Sequence, residues 1–165
     1  MFKNILIIST VLLGASSAAT VVQAEEKTPV RTGMKCAPVN HYDVIKFFDR
    51  WNASLRTHDP VRVAENYSSD AVLLPALSIK VRYTDEERID YFKDFLKKEP
   101  VVKIDSRTIR LGCNKAIDNG IYTFRFKDGS EAIARYTFTY AWDGARWLIT
   151  SHHSSVLPKE VRQAD

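Results

Sequence analysis

The segment Ser151-His152-His153-Ser154-Ser155 carries the densest chemistry in this chain. On an extended strand, alternation puts Trp147, Ile149, Ser151, His153 and Ser155 on one face and Leu148, Thr150, His152 and Ser154 on the other. Adjacent histidines then point to opposite sides, so a metal site built on both is not expected, and a zinc sphere would need Cys36 or Cys113 brought in from the turns. The preceding strand offers Arg135, Thr137 and Thr139 on one face against Ala134, Tyr136, Phe138 and Tyr140 on the other. A two-residue turn at Asp143-Gly144 sets Tyr140 opposite Trp147 and Ala134 opposite His153. A three-residue turn shifts the register by one and sets Arg135 opposite His153 and Thr137 opposite Ser151.

The second register makes a polar patch of Arg135, His153, Thr137 and Ser151, extended by Thr123 and Arg125, with Trp51 and Tyr67 from the helices beside it. A guanidinium is a rigid fork that matches a carboxylate, and imidazole adds a donor or acceptor near neutral pH, so the expected ligand is a small organic anion or carboxylate. The alternative is that Arg135 pairs with Asp70, Asp105 or another protein carboxylate and only holds the sheet together. Catalysis would rest on His153 as general acid or base, and a carboxylate from Asp70, Asp105 or Asp118 beside it would favour an isomerase, cyclase or dehydratase. The serines lack a Gly-x-Ser-x-Gly setting, and there is no glycine fingerprint for a dinucleotide, so no cofactor is expected.

These residues need a scaffold. Asn40 can cap a helix whose stripe is Val44, Phe47, Phe48, Trp51 and Leu55, and Asp59-Pro60 opens a short second helix. Ala71 to Leu74 and Leu77 to Val81 read as short or edge strands around Pro75. Thr84-Asp85-Glu86-Glu87 caps a third helix that Pro100 ends. Four strands follow, near 104–111, 121–127, 131–142 and 147–155. Gly112-Cys113-Asn114-Lys115 and Asp118-Asn119-Gly120 both qualify as the first turn, the second being a turn or a bulge. Helices followed by an antiparallel meander make an α+β fold in which a twisted sheet curls around the long first helix.

With 45% apolar and 27% charged residues, the chain is neither disordered nor low in complexity. Lys3, the apolar run from Ile5 to Ala15 and Val22-Gln23-Ala24 form a secretory signal pattern, which divides the chain into a signal peptide (1–24), a leader (25–39), one domain (40–158) and a flexible C-terminus (159–165). Cleavage removes Lys3 and no acid, taking the net charge from +4 to +3, with no long apolar run left for stable membrane insertion. The positive charge forms no coherent stripe, so nucleic acid is not an expected partner. Export to a periplasm or beyond favours a Cys36–Cys113 disulfide that pins the leader to the first hairpin turn; two separate buried thiols are the alternative.

From His41 to Pro158 the chain resembles the association, or hub, domain of calcium/calmodulin-dependent protein kinase II and its free-standing bacterial relatives, within the NTF2-like, SnoaL-like superfamily. The resemblance rests on the order of Trp51 in a long helix, Asp59-Pro60, Leu77 to Arg82, Tyr91-Phe92 to Leu96, Ala134 to Phe138, Asp143-Gly144 with Trp147, and His153 with Ser155. It implies a cone-shaped curved sheet wrapped around the first helix, a pocket at the open end, and assembly through the sheet face into dimers or larger rings. The hub pocket is lined by arginines; Thr123 and Thr137 stand at those positions here, with Arg125 and Arg135 two residues away, and Ser151 and Ser154 also depart from the hub pattern. With no kinase domain attached, the resemblance implies no calmodulin regulation.

Overall fold

The computed structural model describes residues 35–76 and 78–158. The signal peptide, most of the leader and the C-terminal 159–165 lie outside the described residues. Helix α1 (His41–Leu55) starts at Asn40, whose side chain accepts from the Asp43 amide while the Asp43 carboxylate accepts from the Asn40 amide, both at 3.0 Å. Its buried stripe of Val44, Phe48, Trp51 and Leu55 faces the strands. Asp59 caps α2 (Pro60–Ala64), and Thr84 caps α3 (Asp85–Phe95), which tightens into a 3₁₀ turn at Leu96–Lys98.

The sheet has five strands: β1 (Tyr67–Leu74), β2 (Val101–Gly112), β3 (Lys115–Arg125), β4 (Glu131–Trp142) and β5 (Trp147–Val156), in the order β1-β5-β4-β3-β2. The four-strand meander is as the sequence implies. The fifth member, β1, runs parallel to β5 and gathers Tyr67 to Leu74 into a single strand, while only an isolated Leu73–Arg82 bridge joins it to the segment after Pro75. Together these elements make the α+β cone expected from the resemblance.

Three irregularities decide which side chains face inward. The first hairpin turn is Cys113-Asn114, and Asp118-Asn119-Gly120 lies within β3, paired with Arg107–Ile109 and next to a bulge in β2 between Ile104 and Ser106. A Cβ on Gly120 would lie 2.0 Å from the Ser106 carbonyl oxygen, so only glycine fits against that bulge. The last hairpin uses neither expected loop: Trp142 pairs with Trp147 across Asp143–Arg146, and the Asp143 carboxylate accepts from the Ala145 and Arg146 amides. Beyond it, the register shifts between the Tyr140–Ile149 and Thr139–Ser151 pairs, so Thr150 is the extra residue of a bulge.

The third irregularity is in β1, where Tyr67 pairs with Ile149 and the next pair is Val72 with Ser151. The carbonyls of Ser68, Ser69 and Ala71 in that interval accept instead from the fully buried Arg88 of α3. A Cys36–Cys113 disulfide ties the segment before α1 to the first hairpin, and Ala37 donates its amide to Asn114 Oδ1 at 2.7 Å. Closing a span of 77 residues restricts the unfolded chain, worth a few kcal/mol on the chain-entropy account.

Candidate functional site

A cavity of about 30 Å³ opens between α1, α3 and the inner face of the sheet. Its wall is aromatic and aliphatic, including Trp51, Leu73, Tyr91, Phe92, Phe95 and Phe124, and its polar lining residues include His152, Ser154 and Tyr122. Among the described residues, no Lys, Arg, Asp or Glu lines it. One water needs roughly 10–15 Å³ of such volume, so the free space corresponds to about two or three water-sized groups and suits a small molecule.

His152 is held from every side. Phe138 stacks on its ring with centroids 4.0 Å apart, and Trp51 meets it edge-on at 5.2 Å. Trp51 Nε1 donates to Tyr67 Oη at 3.0 Å, and Tyr67 Oη lies 2.9 Å from His152 Nδ1. Indole N–H is only a donor, so the Tyr67 hydroxyl is free to give its own proton to Nδ1, which leaves the neutral imidazole proton on Nε2. That nitrogen lies 3.4 Å from Tyr122 Oη, and Tyr122 donates to Ser154 Oγ at 2.6 Å. The Ser154 proton is then available to the cavity, so the site presents two neutral donors beside one phenolic oxygen lone pair.

Burial sets the charge states. It pushes the His152 pKa down to about 3, with His153 acting in the same direction, so the imidazole is uncharged at neutral pH. Burial also raises Tyr67 and Tyr122 above the usual phenol range and takes Tyr91 up to about 12. The site can polarise and orient a bound molecule through neutral hydrogen bonds. Neither an imidazolium nor a phenolate is present.

The structure redistributes the residues singled out in the sequence. Trp51 lines the cavity, and Tyr67 reaches it through His152. Arg135 and His153 are exposed on the outer face of the sheet, where Thr137 pairs with His153 and Arg135 with Ser155. Ser151, Thr123 and Arg125 share that face; Arg125 pairs with Glu131 at 2.7 Å and Thr123 donates to Asp105. The polar patch therefore forms, but outside the cone, which corrects the expectation of an arginine-lined pocket containing His153. The bulge at Thr150 is the physical reason: Trp147 and Ile149 face inward before it, and His152 and Ser154 face inward after it. A usable signal was present in β4, where Ala134, Tyr136, Phe138 and Tyr140 form an apolar face that had to be the buried one.

Asp118 does point inward, away from that cavity. It is 0% exposed, and its Oδ1 accepts from Arg107 Nε at 3.1 Å and from Tyr136 Oη at 3.0 Å. Arg107 lies over the Phe48 ring at 5.0 Å. Burial raises the Asp118 pKa by more than Arg107 and Tyr136 pull it down. Neither Asp118 nor Arg107 lines the cavity beside His152. Among the described residues, no three His, Cys, Asp or Glu side chains come together as a metal-holding group.

Comparison with known proteins places this geometry. No curated protein matches the chain significantly. A protein from Xanthomonas campestris, described as a calcium/calmodulin dependent protein kinase II association domain, is 43% identical with a TM-score of 0.70, over 74% of this chain and 91% of that one. An NTF2-like protein of Pseudomonas putida KT2440 has 15% identity and a TM-score of 0.66, covering 79% and 95%. A cyanobacterial iota-carbonic anhydrase complexed with bicarbonate has 17% identity and a TM-score of 0.67, covering 79% and 100%. The last two likenesses concern the fold alone. The profile of the calcium/calmodulin dependent protein kinase II association domain matches residues 40–158, most of the chain, and the protein belongs to that family.

Proposed function

We propose that the His152 cavity binds carbon dioxide and bicarbonate and interconverts them. The observation that carries this reading is a confined cavity that, among the described residues, is lined by no Lys, Arg, Asp or Glu and in which His152, Ser154 and Tyr122 form one hydrogen-bonded polar cluster. Its small volume suits a molecule of this size, and a fold neighbour at low identity holds bicarbonate. In hydration, the oxygen of a water forms the new C–O bond while one carbonyl π pair moves onto the oxygen facing His152 Nε2–H and Ser154 Oγ–H. The water proton leaves to solvent. Preorganised neutral donors stabilise charge that develops on that oxygen, and without a fixed cation the product anion is held weakly enough to depart.

The test is stopped-flow measurement of carbon dioxide hydration. The unaltered protein should accelerate it, and His152→Ala or Ser154→Ala should each lower kcat/KM by about 10²-fold, the scale of losing one such donor. Tyr122→Phe should lower it less. No acceleration by the unaltered protein, together with no saturable ¹³C-bicarbonate signal change, would reject the reading.

A second role rests on the outer sheet face. Ile117 and Ile133 are 40% and 45% exposed there among Thr123, Thr137, Thr139 and Arg135, a mixed apolar and polar surface of the sort that subunits bury. With membership of an association-domain family, this supports a homo-oligomer, a dimer or a larger ring, built through that face. Ile133→Glu should shift the mass measured by sedimentation toward the monomer, and an unchanged mass would remove the face from the contact. The disulfide and the signal-like first 24 residues support export to an oxidising compartment. Among the described residues, no helix is long and apolar enough to cross a membrane.

A further inference from the structure

A second concavity, of about 330 Å³, lies on the outside between α1, α2 and the start of β5. Its charged lining groups are Arg50, Arg62, Arg146 and Glu65, three cations against one acid. Arg50 is fixed by neutral partners: its Nε donates to Asn66 Oδ1 at 3.1 Å and its Nη2 to the Trp147 carbonyl at 2.7 Å. Among the described residues it has no carboxylate within ion-pair distance. Partial burial lowers its pKa, and the neighbouring Arg146 adds to the lowering against the opposing effect of Tyr140.

The other two guanidiniums are only loosely matched. Arg62 Nε is 3.8 Å from Asp59 Oδ2 and Arg146 Nε is 3.9 Å from Asp143 Oδ2, beyond hydrogen-bond distance. Both carboxylates use their Oδ1 on backbone amides, Asp59 on Val61 and Asp143 on Ala145 and Arg146. The groove thus holds one preoriented cation without a counter-ion and a second cation that repels it.

We propose that this groove is a binding site for a free polyvalent oxyanion of the phosphate class, gripped between Arg50 and Arg146 with Arg62 at the rim. Guanidinium forks match such oxygens two at a time, and an anion there removes the Arg50–Arg146 repulsion. The site is distinct from the His152 cavity: the two lining sets share no residue, and the proposal holds whatever the cavity binds.

The test is an NMR titration of the isotope-labelled protein with inorganic phosphate, at constant ionic strength maintained with chloride. Saturable shifts are expected at the Arg50 side-chain Nε–H and at the Asn66, Arg146 and Leu148 amides. Arg146→Gln should weaken the fitted affinity by about tenfold, the scale of one charge-assisted contact. Lys97→Gln removes one positive charge from the 3₁₀ turn after α3, which does not line the groove, and should leave the affinity unchanged. Non-saturating shifts, equal affinity in Arg146→Gln, or equal weakening by Lys97→Gln would each overturn the site, the last by showing that only net charge matters. Unchanged amide spectra away from the groove would establish that both variants fold.

Discussion

Methionine in place of Arg88 should destabilise the domain by about 3–5 kcal/mol, because several backbone acceptors lose their donor at roughly 1–3 kcal/mol for each one left buried. The guanidinium is fully buried and donates to the carbonyls of Ala71, Tyr83, Ser68 and Ser69 and to Asp85 Oδ1, the last at 2.6 Å. Methionine has comparable length and no donors. It would fill much of the space and strand several backbone acceptors, which no further substitution can remove. That sets this case apart from ion pairs that tolerate apolar replacement, where both polar partners are side chains. Lysine should recover part of the loss through its charge but cannot reach several carbonyls in a plane. Urea unfolding of the three proteins checks the order, and a methionine cost below about 1 kcal/mol would show that the β1 interval is stable without the arginine. Tyr67 begins that interval and holds His152, so Arg88→Met should also weaken whatever the cavity binds.

The second large effect is an acid-side loss of stability from His152. Its pKa is about 3 in the fold and near 6.5 in the unfolded chain, because burial penalises the imidazolium. The unfolded state therefore takes up a proton first. Stability that is intact above pH ~6.5 is lost as pH falls toward ~3, at up to about 1.4 kcal/mol per pH unit, for a total of roughly 3–5 kcal/mol. Asp118 works with the opposite sign: its raised pKa makes its contribution largest at low pH and diminishes it as pH rises through the folded value. Lowered carboxylates such as Glu87, with a pKa of about 2 set by the Tyr83 amide and Lys80, add acid-side losses of their own. Comparing pH profiles of chemical unfolding for the unaltered protein and His152→Phe isolates the histidine. The difference curve should flatten above pH 6.5 and slope by one proton below it. A flat difference throughout would mean that His152 titrates normally in the fold.

Much of the scaffold was readable from residue order. Asn40 with Asp43, Asp59-Pro60 and Thr84 with Glu87 are local hydrogen-bonding devices, so their helix starts appear where the sequence places them. The apolar periodicity of Val44, Phe48, Trp51 and Leu55 identified the face of α1 that the sheet covers. Strand β1 was harder to see, since its ladder with β5 joins residues some eighty positions apart and Arg88 satisfies its irregular middle. Nothing near Ser68 announces that partner. The candidate site was legible as a segment, Ser151 to Ser155, and wrong in which histidine faces the cavity.

Residue types and spacing determined that this chain forms a long capped helix beside a curled α+β sheet, and that the paired histidines of the last strand face opposite ways. Only the tertiary structure decided which histidine faces inward. A single extra residue at Thr150 inverts the alternation, and a bulge arises from how two strands must curve around α1 and not from the preference of any one residue. The inverted phase buries His152 among Trp51, Phe138 and Tyr67 and turns Arg135 and His153 out to solvent, because the aromatic face of β4 gains more from leaving water than its polar face would.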